Sequence, residues 1–223
     1  MEELYYEDKY AKEIETTARV TIGDEDVAYL KFEENIFYPQ GGGQKGDRGK
    51  VVLNKKETCN VVNTIKDSQL GGAISIVDEK LLEELDSVKV ECFLDWPFRY
   101  AQMKLHTVVH AHHCVMEEVI GEEIAFPKVS SIEDGFAFNK YSAESFDFAK
   151  LGKVNEEFQK HLKAGAEVKT YAEKGMDFRW WECMGHKIPC GGIHVDNLTE
   201  VGDVDITFSN KKGNITVKFA LII

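Results

Sequence analysis

Four residues from two distant stretches have the types and the spacing of a metal site. His106 and His110 are four residues apart, so on a helix their imidazoles project from the same face, one turn apart. Cys190 and His194, separated by three residues that include two glycines, add a thiolate and a third imidazole. This mixture of nitrogen and sulfur ligands suits zinc better than magnesium, calcium or manganese. The sequence therefore predicts a zinc site built from these four residues.

One well-known zinc chemistry is excluded by a single residue. The helix of a zinc metalloprotease carries His-Glu-x-x-His, in which the glutamate is the general base, whereas Thr107 follows the first histidine here. Peptide hydrolysis by that mechanism is therefore not expected. An activated ester needs less base catalysis than an amide, so a water or substrate group oriented by the metal would suffice for ester hydrolysis.

Helices and strands must hold these ligands in place. Residues 99–120 contain neither Gly nor Pro and precede Gly121, which predicts a helix that carries the histidine pair. A second helix is predicted over residues 145–173, loosened near Gly152 and Gly165. Alternating runs predict strands in five places: 16–32 around a turn at Gly23-Asp24, 49–65 with a turn near Asn54, 177–183, 204–209 and 214–222, the last two joined by the four-residue loop 210–213.

The order of these elements predicts two domains. A β-rich part gives way to a helix-led part near Cys92, so we expect domains over residues 1–92 and 93–223. Between the first two strand pairs lies a loop with five glycines in the nine positions from Gly41 to Gly49. Such a loop lets backbone amides approach a partner closely.

Composition and charge exclude several classes of protein. With 43% hydrophobic residues among 223, the chain can bury a core and is not disordered as a whole. Its 27 basic and 39 acidic residues give a net charge of −12, which opposes non-specific attraction to phosphate backbones, and no DNA partner is expected. No apolar run approaches the roughly 20 residues of a membrane helix, and the N-terminus lacks the features of a signal peptide. We therefore expect a cytoplasmic protein without membrane attachment.

The motifs resemble, in order and type, those of the alanyl-tRNA editing family, which includes the free-standing AlaX-type proteins and the editing half of alanyl-tRNA synthetase. The resemblance spans roughly residues 20–220. Four pieces carry it: Phe37-Tyr38-Pro39-Gln40-Gly41-Gly42-Gly43-Gln44 followed by Gly46-Asp47-Arg48-Gly49, Leu94-Asp95-Trp96 with Arg99, His106-Thr107-Val108-Val109-His110, and Ile188-Pro189-Cys190-Gly191-Gly192-Ile193-His194-Val195 continued by Asn197, Glu200 and Gly202.

The resemblance implies an α+β fold in two parts. A small N-terminal β-barrel, similar to a translation-factor domain, would be followed by an α+β editing domain that contains zinc. In that domain His106, His110, Cys190 and His194 would be the zinc ligands. The glycine-rich loop from Gly41 to Gln44 is similar to the family's element that faces the editing cleft.

The resemblance also implies an activity. Its members hydrolyse, in trans when free-standing, the ester of alanine tRNA that is mischarged with serine or in some cases glycine. The expected partner is therefore such a mischarged tRNA. We expect catalytic roles for Thr107 and Gln44, and substrate binding by Gly41, Gly42, Gly43, Ser130 and Ser131.

Several alternatives stay open at this point. Three ligands would leave a coordination position for water, whereas four would close the site. Two other functions fit the same residues: a zinc-stabilised tRNA-binding module without catalysis, and a zinc hydrolase of a small ester. Val108 and Ile193 depart from the motifs of many relatives; neither is a predicted ligand, but both bear on the floor of the pocket.

Overall fold

The computed structural model describes residues 2–23, 27–68, 72–78, 83–175 and 178–222. The chain divides into two compact units: Met1–Gly41 with Lys45–Arg99, and Gly42–Gln44 with Tyr100–Ile223. The predicted domain boundary between residues 92 and 93 stays a prediction about independently folding parts. Residue 92 itself lies within a strand that ends at Leu94.

The first unit is built around a closed antiparallel barrel. A short helix α1 (Leu4–Glu7) precedes it, and the strand order around the barrel is β1, β2, β5, β4, β3 and β6. The strands are β1 (Glu13–Ile22), β2 (Ala28–Phe32), β3 (Gly49–Leu53), β4 (Glu57–Asp67), β5 (Gly72–Val77) and β6 (Leu85–Leu94).

Alternation along the strands explains why this barrel forms. In β2, Ala28, Leu30 and Phe32 are buried, while the two residues between them are partly exposed. Side chains at alternate positions of a strand point to opposite faces, so one face of each strand fills the interior. The predicted strands over 16–32 and 49–65 are confirmed as β1 with β2 and β3 with β4. Asn54 and Lys55 form the turn of the second pair at positive φ, whereas the predicted turn at Gly23-Asp24 lies, from Asp24 on, outside the described residues.

A buried ion pair lies in the same unit. The guanidinium of Arg99 contacts both carboxylate oxygens of Asp47, and neither side chain is accessible to solvent. Arg99 also donates to the carbonyl oxygens of Lys9 and Ile36, at 3.1 and 2.5 Å. The backbone N–H of Tyr38 donates to Asp47, so the pair ties the residues before and after the glycine-rich loop to the start of the next helix.

The helix that carries the histidine pair is α2 (Trp96–Ile120). It begins three residues before the predicted start, because the carboxylate of Asp95 accepts the N–H of Phe98 and the carbonyl of Asp95 accepts the N–H of Arg99. Such a side-chain contact satisfies a free donor of the first turn. The helix ends, as predicted, at Ile120, and the next residue, Gly121, has a φ of 84°, in the left-handed region that suits glycine.

The second unit contains α2 from Tyr100 onward, one further helix and two sheets. One sheet has the order β12, β13, β8, β7, and the other has the order β11, β10, β9. Their bounds, with those of helix α3, are β7 (Val129–Ile132), β8 (Phe136–Ser142), α3 (Leu151–Ala164), β9 (Lys169–Ala172), β10 (Arg179–Cys183), β11 (His186–Pro189), β12 (Val204–Lys211) and β13 (Asn214–Leu221). The α+β class with a β-barrel is thus confirmed, while the likeness of the barrel to a translation-factor domain stays a prediction.

Two predicted elements of this unit were wrong in extent. The helix predicted over 145–173 is limited to α3, because Gly165 ends it at a φ of 75° and β9 follows. The predicted four-residue loop 210–213 is a two-residue turn at Lys212 and Gly213, both at positive φ, since the two residues before it continue β12. Turns of this kind match the twist of paired strands.

The described part of the chain contains no helix with both the length and the apolar character needed to cross a membrane.

Candidate metal centre

The predicted ligands converge in the second unit. One nitrogen or sulfur atom from each of His106, His110, Cys190 and His194 lies within 4.8 Å of the corresponding atom of every other. Helix α2 supplies two of them at the expected spacing, with ring centroids 5.1 Å apart. The segment after β11 supplies the other two, and the Sγ of Cys190 lies 3.5 Å from Nε2 of His106 and 3.4 Å from Nε2 of His194.

Close approach explains a glycine in the segment between the last two residues of the cluster. A Cβ added to Gly192 would overlap the imidazole ring of His106, so a larger residue would push the segment away from the helix. The backbone N–H of Gly192 also donates to the Sγ of Cys190 at 3.3 Å. The glycine therefore allows the thiol and the histidine ring to share one small space.

Hydrogen bonds determine which nitrogen of His194 is available. The hydroxyl of Thr107 donates its single hydrogen to the carbonyl of Met103, 2.9 Å away. Its oxygen must then accept from Nδ1 of His194 at 3.2 Å, as it does from the N–H of Val195 at 3.3 Å. The proton of His194 consequently sits on Nδ1, and the lone pair of Nε2 faces the cluster.

The same logic applies to His106. The Oε1 of Gln44 accepts the backbone N–H of Ile193 at 3.3 Å, and it lies 2.9 Å from Nδ1 of His106. Because this oxygen can only accept, Nδ1 carries the proton and Nε2 presents a lone pair. Two neighbours therefore hold two histidines in the tautomer and orientation that a metal ligand requires.

His110 supplies a buried atom that lacks a partner. Among the described residues, its Nε2 is buried and has no hydrogen-bond partner, and the same holds for Nε2 of Gln44. An unpaired buried polar atom is costly, so each such atom in a native structure needs an explanation. A metal ion within the cluster would satisfy Nε2 of His110.

The protonation of the cluster is also suited to a cation. Burial and the neighbouring His110 hold the pKa of His106 well below its usual value. Burial and, to a smaller extent, His113 lower the pKa of His110 to about 4, so both imidazoles are neutral near pH 7 and keep their lone pairs. Burial raises the pKa of Cys190 to about 11, so a metal must displace the thiol proton. Three imidazoles and a thiol could thus bind a metal ion, and the donor set is compatible with zinc.

A cavity of about 260 Å³ lies beside this cluster within the second unit. Two of the histidines line it together with residues from β7, β8 and the segment before β7. The lining that matters for chemistry comprises His106, His110, Gly42, Phe126, Ser130 and Asn139.

Only some residues of the predicted substrate set line this cavity. Gly42 and Ser130 do. The carbonyl of Gly43 accepts the N–H of Ile132 at 2.9 Å, and the hydroxyl of Ser131 donates to Glu133 at 2.6 Å. Gly41 belongs to the first unit, where its carbonyl accepts the hydroxyl of Tyr38.

Sequence reasoning missed Asn139, which is 1% exposed and lines the cavity. Its strand, β8, has buried residues at alternate positions, namely Ala137, Asn139 and Tyr141. A polar residue at an inward position of an otherwise apolar alternation was the available signal.

Two further histidines of α2 follow His110 closely. His112 packs edge-on against Phe158 and Phe219 in the core, and His113 lines the cavity.

The fold and the cluster define an α+β protein in which a helix and a glycine-containing segment of the second unit build a candidate metal centre. No protein-family model matches the chain. It is 34% identical to the alanyl-tRNA editing protein AlaX-M of Pyrococcus horikoshii over 90% of this chain and 88% of that protein. It is 29% identical to AlaX-M of Methanosarcina barkeri over 99% of both chains, and 30% identical to AlaX-L of Pyrococcus horikoshii over 95% of this chain and 55% of that protein. The chain belongs to the AlaX family of alanyl-tRNA editing proteins.

Proposed function

We propose that this protein removes a wrong amino acid, serine or glycine, from alanine tRNA by hydrolysing the ester that joins the amino acid to the terminal ribose. One observation carries the proposal: a prearranged cluster of three imidazoles and a thiol lies at the wall of a cavity of about 260 Å³. The relatives, which are named alanyl-tRNA editing proteins, support alanine tRNA as the substrate, and the choice of serine or glycine comes from the resemblance.

Zinc is the ion that we propose for the cluster. Nε2 of His106, His110 and His194 and the Sγ of Cys190 would hold it. A zinc ion bound there would supply Lewis-acid chemistry, which polarises a carbonyl and lowers the pKa of bound water. The unpaired Nε2 of His110 is the feature of this chain that most favours an ion over an empty cluster.

The residues around the cluster act on its geometry. Thr107 and Gln44, for which we predicted catalytic roles, contact His194 and His106. In this proposal they are positioning residues, because they hold two rings in the tautomer that presents Nε2. A mispositioned ligand costs rate even when the chemistry itself is unchanged.

The cavity is the proposed place for the amino acid end of the tRNA. Gly42 and Ser130 support this role because they line the cavity with two of the histidines. For Gly41, Gly43 and Ser131, substrate binding stays a prediction from the resemblance. Correctly charged alanine must be spared, and a site achieves this when its buried polar groups are left unpaired by the smaller substrate.

The decisive experiment is deacylation of alanine tRNA charged in turn with serine, glycine and alanine. We expect the wild type to hydrolyse the seryl ester and to spare the alanyl ester. Cys190→Ala is expected to lose about a hundredfold or more of the rate, since it removes a ligand. Cys183→Ala, which removes another buried thiol of the same unit, is the matched control and is expected to stay within about threefold of wild type.

The same experiment separates the alternative functions. A tRNA-binding module without catalysis would retain tRNA but release no amino acid from it. A hydrolase of small esters would cleave an aminoacyl ester that lacks the tRNA acceptor stem as fast as the intact tRNA. Either result would contradict the proposal.

A further inference from the structure

Phe126 is the most exposed aromatic side chain in the described part of the chain, at 62%. It lies in the short segment between α2 and β7, which is anchored on both sides of the ring. The N–H of Ile124 donates to Oε1 of Glu117 at 3.0 Å, and the N–H of Lys128 donates to the carbonyl of Lys140 at 2.7 Å. The segment therefore presents an apolar ring to solvent from a backbone that is tied to its neighbours.

One side of this ring is occupied by another aromatic ring. Phe126 lies on His113, with centroids 5.2 Å apart and planes inclined by 25°. The ring of His113 is also nearly parallel to that of Tyr141, at 8° and 5.8 Å between centroids. His113 and Tyr141 are only 3% and 1% exposed, so Phe126 is the accessible member of a cluster of three rings. Aromatic rings favour such offset stacking, and the accessible part of Phe126 offers a place for a further planar ring.

Phe126 borders the cavity beside the metal cluster. It lines that cavity together with His106 and His110, and Pro127 and Ile188 add apolar surface. The described lining includes no lysine or arginine, which are the side chains that most often contact the phosphates of a nucleic acid. The cavity is therefore suited to the uncharged parts of an aminoacyl nucleotide rather than to its phosphate.

We propose that Phe126 is a stacking platform for the terminal adenine of the tRNA whose ester lies at the metal cluster. This inference rests on the proposed function and names the part of the tRNA that the rim of the cavity binds. The 3′ end of a tRNA is single-stranded, and proteins commonly bind unpaired bases by stacking them on aromatic side chains. The ester is joined to the terminal ribose, so only that ribose separates the adenine from the reacting carbonyl.

The position of Phe126, rather than its exposure, carries this inference. A single exposed apolar side chain is ordinary on a protein surface. Phe208 on β12 is an example: it is 37% exposed and packs edge-on against Phe148, but it is not among the described lining of the cavity. Phe126 differs because its accessible ring borders the same cavity as two candidate metal ligands. Phe208 is therefore the matched control.

The test combines a change in the tRNA with a change in the protein. Serine is attached chemically to alanine tRNA that ends either in adenosine or in the same ribose without its base. For each ester, kcat/KM for deacylation is measured and divided by the spontaneous rate of hydrolysis. Wild type is expected to prefer the tRNA that has the base by about tenfold to a hundredfold, as is typical for one stacked base.

The same preference is then measured in Phe126→Ala. We expect it to fall within about threefold, because the base and the ring no longer act together. The preference is a ratio within one variant, so a loss of folded protein cancels from it. A preference in Phe126→Ala as large as in wild type would overturn the inference.

Two further variants separate stacking from apolar cover. Phe126→Leu keeps an apolar side chain over His113 but has no ring, and it is expected to behave like Phe126→Ala. Phe126→Trp retains a flat ring and is expected to keep a preference of about tenfold or more. Phe208→Ala is expected to show the wild-type preference. An undiminished preference in Phe126→Leu would contradict a role for stacking.

The outcomes separate this inference from the function on which it rests. If wild type cleaves neither tRNA, the proposed function fails and the inference fails with it. If wild type cleaves both tRNAs equally well, the platform is wrong and the editing activity stands. Sedimentation tests another occupant of the ring: a wild-type dimer that Phe126→Ala dissociates, with the preference for the base unchanged, would assign Phe126 to a contact between copies and overturn the inference.

Discussion

Two buried polar groupings, one in each unit, differ in whether their hydrogen-bonding and charge requirements are met by the protein. In the first unit, the guanidinium of Arg99 has a carboxylate and two carbonyl oxygens as partners. In the second unit, Nε2 of His110 is buried among other ligand-type atoms and has no hydrogen-bond partner in the described part of the chain. The first grouping is complete as folded, whereas in our proposal an ion would complete the second.

This difference separates a structural role from a functional one. A buried charge pair that is fully hydrogen-bonded tolerates no removal of a single partner, yet it offers nothing to a ligand. The cluster of three imidazoles and a thiol, two of whose rings are oriented by Gln44 and Thr107, could hold a metal ion. Burial alone does not distinguish the two cases; the unpaired atom does.

The largest expected effect comes from removing one partner of the buried ion pair in the first unit. Arg99→Met leaves the carboxylate of Asp47 buried without its countercharge and is expected to lower the free energy of unfolding by about 3–5 kcal/mol. Urea denaturation measures this change. The matched control is Arg48→Met, because Arg48 pairs with Asp95 at 2.8 Å while partly exposed, and we expect about 1 kcal/mol or less. Equal losses of unfolding free energy in the two variants would show that burial does not make the Arg99–Asp47 pair more important than an exposed one.

Metal removal affects the other grouping. Zinc at about 100 times its dissociation constant is expected to raise the free energy of unfolding of wild type by about 2.7 kcal/mol, because it binds the folded state. A chelator is expected to reverse this gain in wild type and to change nothing in His110→Ala. Unfolding followed with and without chelator measures the effect. A gain from zinc in His110→Ala as large as that in wild type would place the ion elsewhere.

Whether each of these two groupings can be predicted from the sequence depends on how far apart its residues lie along the chain. The pairing of His106 with His110 is local, since helix geometry alone puts residues four apart on one face. The pairing of Asp47 with Arg99 is not local, because it depends on barrel strands that bring residues 52 positions apart together. No spacing rule connects such a pair in advance.

The candidate site shows the same limit. Residue types and spacing singled out the four candidate ligands, but the hydrogen bonds from Gln44 and Thr107 that orient two of them are visible only in the folded chain. Asn139, which lines the cavity, was missed because β8 itself was not predicted. The helix predicted over 145–173 was too long because helix-favouring residues continue past Gly165, whose left-handed conformation decides the end.

A smaller effect tests the close packing of the cluster. Gly192→Ala introduces a Cβ that overlaps the ring of His106, and we expect zinc affinity to fall about a hundredfold, at the upper end of effects seen when ligand orientation is disturbed. Competition with a chromophoric chelator measures the affinity. Gly152→Ala, in α3 where an added Cβ meets no atom within 4 Å, is the control. Unchanged affinity in Gly192→Ala would mean that the segment is not held against the histidine.

The smallest effect tests one hydrogen bond to a ligand. Thr107→Val keeps the shape of the side chain but removes the oxygen that accepts from Nδ1 of His194, so zinc affinity is expected to fall about tenfold. Thr107→Ser retains the hydroxyl and is expected to keep most of the wild-type zinc affinity. The same chelator competition measures the zinc affinity. Identical affinities in Thr107→Val and wild type would show that Thr107 does not help to orient His194.

The zinc content of purified protein tests the central claim most directly. Elemental analysis of wild type, equilibrated with zinc and freed of excess, is predicted to find one zinc per chain, and His110→Ala and Cys190→Ala are predicted to bind it far more weakly. A wild-type protein that retains no zinc under these conditions, or variants that retain as much as wild type, would contradict the assignment of these four residues as a metal centre.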